Sequence, residues 1–557
     1  MRTARYIQLC RRAAALLLCG LTMLPLTACG KDGPKQIEYR EGAQFTVAVT
    51  EEPATLNPLT ATSKVAQEFF LLAYDPLWRL NAEGDPVECL AEDYSLSSDK
   101  LTWTIRLRHD AYFSDGIQLT SADVKYTYET MMVSSPVYDP CFDGIRDIRC
   151  PDEFTVVITT DYVKGDMRMN PVPILPQHIW SEHSSDLRGF DNARMIGSGP
   201  FVLQEGSDSP QDVSWTFQAR SDHFIGEPAV GSVRFVYYGT ENGAGRAVSV
   251  GEADAAINMT DVQLAMLQGV PGVRLVQAYL PGSEVWAIAF NTRKGVFADQ
   301  SMRQMVEYCS DRAWMLSMSS GEAGMAGSVW ASPGADYFYN IVNLRPFDVE
   351  TGRNILYTLG YSDVDRDGYM EDLVTGDKLI LQLWSSSQDS WSSTAGTVLG
   401  EALKQIGVQL DWHTTDGSVT DVCTPKGSWD MCMLSWRGSV NPVLTARKFR
   451  TAANSLTGWS SESYMNAFSQ LQVSMDDISV QNTTIQLQQI FYDECPYVVL
   501  AYHSDIQAIR EDRWTGYDQV LEQAGGLFGI ESLETYMTVR PLDAEAEIET
   551  GEGEQAQ

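Results

Sequence analysis

The 557-residue sequence predicts an α/β protein of two or three domains. The α/β prediction depends on a β-α-β pattern: a strand at Leu379 to Trp384, an apolar helical stripe from Ala395 to Ile406, Gly407 as the stop, and a strand at Val408 to Trp412. The domain count follows from the length, because single hydrophobic cores stop growing at about 250 to 300 residues. Hydrophobic residues make up 44% and charged residues 20%, as is typical of globular proteins.

Further strands and helices are predicted along the chain. Apolar residues alternate, as in half-buried strands, at Phe45-Val47-Val49, Trp103-Ile105-Leu107, Trp215-Phe217 and Trp286-Ile288-Phe290. One helix is predicted to begin at Thr120, where Thr120 and Asp123 form a capping box. Another is predicted to begin near Asp299. Their apolar stripes are Val124, Tyr128 and Met131, and Met302, Met305, Val306 and Cys309.

Residues 1–28 have the layout of a secretory signal peptide, in which four arginines precede a mostly apolar 12-residue run from Ala13 to Leu24. The segment Leu26-Thr27-Ala28-Cys29-Gly30 then resembles the bacterial lipobox. This resemblance implies lipidation of Cys29, with residues 29–43 as a lipid-anchored linker on the outer face of the cytoplasmic membrane, or on its periplasmic side. The alternative is an ordinary cleavage site that happens to precede a cysteine.

Bulk charge and missing motifs argue against several classes of function. The net charge of -34 repels nucleic-acid phosphates, so nucleic acid is not expected as a partner. The sequence contains no H-E-x-x-H, G-x-S-x-G or G-x-x-x-x-G-K-[ST] motif, so zinc-protease, serine-hydrolase and nucleotide-hydrolase interpretations lose their support. A glycosidase-like carboxylate pair is weakened but not excluded, because it depends on a separation in space. No enzymatic activity is therefore predicted.

Cysteines and tryptophans leave alternatives open. Seven cysteines follow Cys29, and two pairs, Cys141 with Cys150 and Cys423 with Cys432, are close enough in sequence to close small loops. Exported proteins permit disulfides, but spacing does not fix the pairing. Six tryptophans concentrate in the second half, where they suit either a small-molecule cleft or core packing: Trp384, Trp391, Trp412, Trp429, Trp436 and Trp459.

One metal-like motif occurs, and no other cofactor is predicted. Asp363, Asp365, Asp367 and Glu371 stand at positions 1, 3, 5 and 9 of a calcium loop, with glycine at position 6. Position 12 is Val374 instead of a bidentate glutamate. The loop is therefore either a solvated turn or a structural calcium site.

The segment from Tyr112 to Tyr126, Tyr-Phe-Ser-Asp-Gly-Ile-Gln-Leu-Thr-Ser-Ala-Asp-Val-Lys-Tyr, closely resembles the signature of solute-binding protein family 5, the oligopeptide and dipeptide receptors of ABC importers. Further matches follow in the family's order: Leu56-Asn57-Pro58, Trp103 to Arg108, Ile174 to His178, Gly197 to Phe201, Gly251 to Asp254 and Phe290 to Arg293. The resemblance covers roughly residues 44 to 540.

The resemblance implies a two-lobed periplasmic-binding-protein-like fold of the class with an extra domain, with mixed sheets and a hinge between the lobes. Domain I is expected at 44–80, 197–292 and 510–540, domain II at 81–196, and domain III at 293–509. An acidic tail at 541–557, which holds six acidic and no basic residues, is predicted to be disordered. The implied mechanism is hinge closure on a solute, after which permease subunits in the membrane recognise the closed form. A monomer is expected.

The candidate ligand-binding residues also come from the resemblance. Asn57 and a segment resembling the family's ligand-contacting strand and turn supply the set Asn57, Ser435, Trp436, Arg437, Ser439 and Asn441. Receptors of this type usually carry an aspartate for the ligand's α-ammonium where this chain has Ser439, and a neutral hydroxyl makes a weaker contact. A peptide is the expected solute. A nickel complex, haem, an oligosaccharide, peptide sensing without import, and an exported hydrolase remain alternatives.

Overall fold

A computed structural model describes residues 34–204, 213–240, 242–318, 324–341, 344–450, 455–527 and 532–542. Residues 1–33, with the predicted signal peptide and Cys29, lie outside the described residues. Three larger sheets organise these described residues. In spatial order, the seven-stranded sheet comprises Val273–Ala278, Asp505–Arg510, Ala255–Ala256, Gln44–Val49, Ser232–Tyr237, Ser214–Ala219 and Phe201–Leu203. The six-stranded sheet comprises Gly324–Ala326, Tyr497–His503, Glu284–Phe290, Met431–Arg437, Ile380–Ser386 and Gln409–Thr415. The four-stranded sheet comprises Ala91–Leu96, Thr102–Leu107, Thr155–Thr160 and Ile145–Asp152.

Three short hairpins and a set of helices complete the described part. The hairpin strand pairs are Trp78–Leu80 with Pro86–Glu88, Tyr361–Ser362 with Glu371–Asp372, and Trp514–Thr515 with Arg540–Pro541. The α-helices are Lys64–Ala73, Ser121–Ser134, Gln177–Trp180, Gly243–Val250, Asp261–Leu267, Gln300–Tyr308, Arg312–Met318, Val349–Thr358, Ser390–Gln405, Val419–Val422, Pro442–Arg447, Glu462–Val473, Asp477–Glu494, Asp518–Ala524 and Glu534–Thr538. Short 3₁₀ turns occur at Asp139–Phe142, Met167–Met169, Ser181–His183 and Val296–Ala298. Within the described ranges, no helix has the length and apolar character needed to cross a membrane.

The strongest local predictions are confirmed. Thr120 caps the helix Ser121–Ser134, and its backbone N–H donates to Asp123 over 2.8 Å, as a capping box requires. Asp299 caps the helix Gln300–Tyr308. The predicted β-α-β unit is present, with Ile380–Ser386 and Gln409–Thr415 pairing in parallel on either side of the helix Ser390–Gln405. The mixed α/β class is therefore confirmed.

The seven-stranded and four-stranded sheets share one hydrophobic core, and we call this unit the first lobe. Phe69, from the helix Lys64–Ala73, packs on Phe217 and Phe235 of the seven-stranded sheet, with ring centroids 5.0 and 4.9 Å apart. Trp78 and Trp103 extend the same core to the four-stranded sheet. This shared core makes the first lobe a single packed unit.

The six-stranded sheet has its own cores on both faces, and we call this unit the second lobe. In its strand Glu284–Phe290, Ile288 and Phe290 face one core, whereas Val285 and Ala287 belong to the core on the opposite face. The sequence suggested a half-buried strand here because Trp286, Ile288 and Phe290 alternate. The strand instead lies between two neighbours and is covered on both sides.

The chain passes between the two lobes at two adjacent places. Val273–Ala278 pairs with Asp505–Arg510 in the first lobe, and Glu284–Phe290 pairs with Tyr497–His503 in the second. The connecting residues are therefore 279–283 on one strand and Ser504 on the other. This two-stranded antiparallel ribbon is the hinge between the lobes.

Several predicted boundaries differ from the positions of the strands. The strand Glu284–Phe290 lies in the second lobe's sheet, although domain I was predicted to extend to residue 292. The strand Asp505–Arg510 lies in the first lobe's sheet, although domain III was predicted to extend to residue 509. The division into three domains stays a prediction. Pro541 also pairs with Trp514, so the tail does not leave the fold at 541; residues 543–557 lie outside the described residues.

The end of the predicted linker is attached to the first lobe. The Lys35 backbone N–H donates to the Gly116 carbonyl over 2.7 Å, and the Lys35 ammonium lies 2.7 Å from Asp222. Arg40 donates its backbone N–H to Ala219 over 2.9 Å. Residues 34–43 of the predicted linker are therefore held by the lobe, because their polar and backbone groups find partners there.

Candidate functional site

A cleft lies between the two lobes. Its larger cavity has a volume of about 1100 Å³ and is lined from the first lobe by residues such as Lys64, Glu68 and Gln507, and from the second by Tyr337 and Arg437. A second cavity of about 500 Å³ adjoins it. The two share the lining residues Gln67, Leu80, Val137, Pro140, Gly438 and Lys448. Together they form a space large enough for a solute of several residues.

The predicted ligand turn follows the strand Met431–Arg437, and its first two candidates are held within the second lobe. The Ser435 hydroxyl donates to Glu284 over 2.6 Å. The Trp436 indole N–H donates to the Trp330 carbonyl over 3.0 Å. Neither residue is among the described residues that line the cleft. The structure therefore gives both side chains a role in packing the strand.

Arg437 and Ser439 do line the cleft. The Arg437 guanidinium forms no salt bridge with a described residue, although its charge acts on Glu51 of the first lobe. Its N–H groups are therefore available to a solute. The Ser439 hydroxyl instead accepts the Asn441 backbone N–H over 3.1 Å, and its backbone carbonyl accepts the Tyr337 hydroxyl. Ser439 thus shapes the turn where an aspartate was expected to bind an ammonium group. The ammonium group of the cleft-lining Lys448 likewise has no hydrogen-bond or ion-pair partner among the described residues.

Asn441 connects the lobes. It is fully buried, caps the helix Pro442–Arg447, and accepts the Val443 backbone N–H over 2.9 Å. Its amide donates to Asp166 over 3.0 Å and to Asn170 over 2.8 Å, and both acceptors belong to the first lobe. The Lys164 ammonium pairs with the same Asp166 carboxylate at 2.9 Å. Asn441 therefore contributes to the closed arrangement of the lobes, with its polar atoms already bonded.

Further contacts join the lobes beside Asn441. Asp143 of the first lobe pairs with Arg447 and, at 3.3 Å, with Arg450 of the second. The Gly165 backbone N–H donates to the Gln472 carbonyl over 3.0 Å. A Cβ atom at Gly165 would lie 1.8 Å from the Ser474 carbonyl oxygen, so only glycine fits this approach. The structure thus has a closed cleft with a tight seam along one side.

Asn57 lies in the interior of the first lobe, away from the described cleft lining. It is fully buried, and its amide donates to the carbonyls of Leu187 and Phe190, each over 2.8 Å. Its carbonyl oxygen accepts the Leu59 N–H over 2.8 Å. The structure therefore gives Asn57 a role in fixing loops together, because its hydrogen-bonding groups are all used internally.

An acidic group that the sequence did not single out faces the cleft from both lobes. Glu83 and Asp85 lie in the hairpin turn between Trp78–Leu80 and Pro86–Glu88 of the first lobe, and Asp336 lies in the second lobe. Burial raises the pKa of Asp336, and the charges of Asp85 and Glu83 raise it further. The three carboxylates repel one another across the closed cleft, so a bound cation would stabilise closure.

The hinge carries a buried polar cluster. The Ser283 hydroxyl donates to Asp505, and the Lys64 ammonium lies 2.6 Å from the same carboxylate. Glu68, one helical turn from Lys64, accepts the Tyr536 hydroxyl over 2.8 Å. Burial raises the pKa of Glu68 to about 8. The carboxyl is therefore largely protonated at neutral pH.

The cleft thus offers cations, carboxylates and an apolar wall. No histidine is among the described lining residues, which weakens the exported-hydrolase alternative. Trp103 lines the cleft, whereas the six tryptophans of the second half pack elsewhere in the second lobe.

In the predicted calcium loop, Asp363, Asp365 and Glu371 lie together, whereas Asp367 pairs with Lys378.

Comparisons with known proteins agree with this architecture. The family described as bacterial extracellular solute-binding proteins, family 5 Middle, matches residues 85–452. The oligopeptide-binding protein AppA of Bacillus subtilis is 22% identical over 458 residues, which cover 78% of this chain and 82% of the relative. The structure of AppA from Bacillus subtilis in complex with a nonapeptide has a TM-score of 0.72 at 18% identity, covering 90% of this chain and 100% of that one. NikZ from Campylobacter jejuni in complex with Ni(L-His) has a TM-score of 0.70 at 18% identity, covering 85% and 95%.

Proposed function

Because the chain belongs to the bacterial extracellular solute-binding proteins of family 5, we propose that it captures a peptide between its two lobes and delivers it to the permease subunits of an ABC importer. The family is one of exported binding proteins, and the chain is not an enzyme. The observation that carries the proposal is the cleft of about 1100 Å³, whose wall presents opposed carboxylates and two cations without a salt bridge to a described residue. A free peptide is a zwitterion, so its α-ammonium suits the carboxylates of the cleft and its α-carboxylate suits the cations.

The acidic group takes the place of the missing aspartate. Ser439 supplies no charge, whereas Asp336, Glu83 and Asp85 supply carboxylates from both lobes. An α-ammonium bound among them relieves their mutual repulsion and joins the lobes. Arg437 and Lys448 are the groups that would bind the peptide's carboxylates.

The relatives support a peptide as the solute class. AppA of Bacillus subtilis is named as an oligopeptide-binding protein, and its structure holds a nonapeptide. NikZ, of the same fold, holds a nickel–histidine complex. A nickel complex is therefore the alternative solute, and the mass of the bound molecule distinguishes it from a peptide.

The first experiment is native mass spectrometry of the exported protein, purified without refolding. A ladder of peptide masses is the expected result. A single non-peptide mass would replace the peptide by another solute, and turnover of an added peptide by the empty protein would contradict the binding role. Growth on peptides as the sole nitrogen source, with and without the protein, separates import from sensing.

Calorimetric titration of the Asp336→Asn variant then tests the ammonium contact. Losing one charge-assisted hydrogen bond costs about 1.5–3 kcal/mol, so the Kd for a free-amine peptide should rise about ten- to a hundredfold. An N-acetylated peptide should bind both forms equally. Glu401→Gln, an exposed acid of the helix Ser390–Gln405, is the matched control. Equal losses for both peptides would show that Asp336 does not contact the ammonium.

We also propose that Cys29 anchors the protein to the outer face of the membrane through a lipid. The support is the lipobox resemblance of residues 26–30, behind a signal-like segment. Mass spectrometry of the mature N-terminal peptide should find a diacylglyceryl-modified Cys29, and Cys29→Ser should release the protein from the membrane fraction. An unmodified N-terminus at another residue would indicate ordinary cleavage.

A further inference from the structure

The loop from Asp363 to Glu371 has no part in the cleft, since none of its residues is among the described lining. It joins the hairpin strands Tyr361–Ser362 and Glu371–Asp372 at the edge of the second lobe. Two residues take left-handed backbone conformations, Arg366 with φ 66° and Gly368 with φ 94°. The chain therefore folds back on itself and brings acids that are eight residues apart into one cluster.

Three carboxylates meet in this loop. Oxygen atoms of Asp363, Asp365 and Glu371 all lie within 4.8 Å of one another. The Lys378 ammonium, which pairs with Asp367, offsets part of the repulsion among these like charges. Carboxylate oxygens are also the ligands that Ca²⁺ prefers. Proximity of acids alone does not identify a site, because exposed acids often gather on protein surfaces.

The unsatisfied oxygen atoms point to a ligand. Glu371 is only 6% exposed, and its Oε1 atom is buried without a hydrogen-bond partner among the described residues. The Oδ1 atom of Asp363 is also buried without a hydrogen-bond partner among the described residues. Their other oxygens are used, since Val364 N–H donates to Glu371 Oε2 over 2.8 Å and Gly368 N–H to Asp363 Oδ2 over 3.1 Å. A buried carboxylate oxygen without a partner is costly, and a metal ion would satisfy both.

We propose that this loop binds a structural Ca²⁺ ion through Asp363, Asp365 and Glu371. Glu371, at position 9, supplies the buried carboxylate that position 12 lacks, since Val374 there is 93% exposed. Asp367 is engaged by Lys378 and is left outside the set. A site with few carboxylate ligands has a Kd of about 10⁻⁴ to 10⁻³ M, the range of extracellular calcium modules.

The ion would stabilise the second lobe without touching the solute. Met370, between the ligands, is 4% exposed and packs in the second lobe's core. Its N–H donates to Gly407 over 2.8 Å, at the turn between the helix Ser390–Gln405 and the strand Gln409–Thr415. Fixing the loop therefore fixes an edge of the six-stranded sheet.

The test is the thermal unfolding of the chelator-treated protein, titrated with CaCl₂ at constant ionic strength. At a hundredfold excess over Kd, Ca²⁺ should raise the Tm by about 3 to 5 °C, and the same concentration of Mg²⁺ should raise it much less. Calorimetric titration should give heat for one Ca²⁺ ion per chain. The Kd for the co-purified solute, or for a test peptide, should stay the same with and without Ca²⁺.

Variants complete the test. Glu371→Gln should abolish the Ca²⁺-dependent shift, whereas Glu401→Gln should retain it. Because Glu371 is buried, Asp365→Asn at an exposed ligand gives a second variant that should weaken Ca²⁺ binding at least tenfold in a folded protein. No calcium heat with wild-type protein, or an equal shift in wild-type and both ligand variants, would overturn the proposal.

Discussion

Replacing Asn441 by aspartate tests whether the seam between the lobes sets solute affinity. The Asn441 amide donates to Asp166 and Asn170 of the first lobe over 3.0 and 2.8 Å, while its carbonyl oxygen caps the helix Pro442–Arg447. An aspartate keeps the helix cap, because its carboxylate also accepts the Val443 N–H. The change removes the donor across the seam and places a second carboxylate beside Asp166.

The expected effect follows from the burial of these groups. A hydrogen bond to a charged acceptor contributes about 1.5–3 kcal/mol, and the closed form loses this amount, whereas in the open form water solvates both groups. Because a tenfold change in an equilibrium constant corresponds to about 1.4 kcal/mol, the apparent Kd should rise about ten- to a hundredfold. Repulsion between the two carboxylates adds to the loss at neutral pH.

The matched control is Asn57→Asp. Asn57 is equally buried, also accepts a backbone N–H two residues ahead, and also donates twice through its amide, but all its partners lie in the first lobe. Calorimetry should show weaker binding for Asn441→Asp only, and small-angle X-ray scattering should show that this variant stays open at solute concentrations that close the wild type. An unchanged Kd for Asn441→Asp, or an equal loss for Asn57→Asp, would refute the reasoning.

Three further predictions concern the seam, the hinge and the thiols. Gly165→Ala should lower solute affinity at least tenfold with little change in Tm, because a Cβ atom there would lie 1.8 Å from the Ser474 carbonyl oxygen in the closed form. Burial raises the pKa of Glu68 to about 8, above its unfolded value. Glu68 therefore contributes fully to the unfolding free energy below about pH 4.5. Between about pH 4.5 and pH 8 this contribution falls by up to about 1.4 kcal/mol per pH unit. Urea unfolding of the wild type and of Glu68→Gln over this pH range should show the difference. Cys423 and Cys432 are buried as free thiols in the same small core, and the Cys423 thiol raises the pKa of the Cys432 thiol. In an exported protein these two cysteines should form a disulfide, and its reduction should cost about 2.5 kcal/mol of stability.

Each of these has a contrary outcome. Gly400→Ala, where a Cβ atom would meet only Leu410 at an ordinary 3.5 Å, should leave binding intact; if it weakens binding as Gly165→Ala does, the seam is not the cause. A pH profile of Glu68→Gln parallel to that of the wild type would place the titrating group elsewhere. Free thiols on both cysteines of the exported protein would contradict the pairing.

Local patterns in the sequence predicted local structure well. The capping box at Thr120 and the stripe that ends at Ile406 both lie where expected, because hydrophobic periodicity and caps act over a few residues. Sequence also brought Arg437, Ser439 and Asn441 to one turn, and the turn does lie at the cleft. Recognition of a family motif supplied this last result, since no local rule distinguishes a cleft turn from any other.

The use of each side chain could not be predicted in the same way. Asn57 and Asn441 each precede a proline in the sequence. Only their hydrogen-bond partners in the fold show that Asn57 fixes loops within the first lobe, whereas Asn441 joins the two lobes. Asp336 and Glu83 are about 250 residues apart and share the cleft only because the hinge brings the lobes together. Tryptophan density left the choice between a cleft and a core open for a related reason, since an indole serves a core as well as a cleft.

The hinge ribbon has a consequence for how this architecture diversifies. Residues 284 and 503 enter and leave the second lobe on strands that pair side by side, so the whole lobe behaves as one long insertion with neighbouring ends. Such a unit can be exchanged between homologues by two cuts in the ribbon, at 279–283 and at Ser504. A chimaera made at these cuts would inherit Arg437 and Asp336 from one parent, and Glu83 and Glu68 from the other. Its solute preference would then show which lobe determines each part of the selectivity.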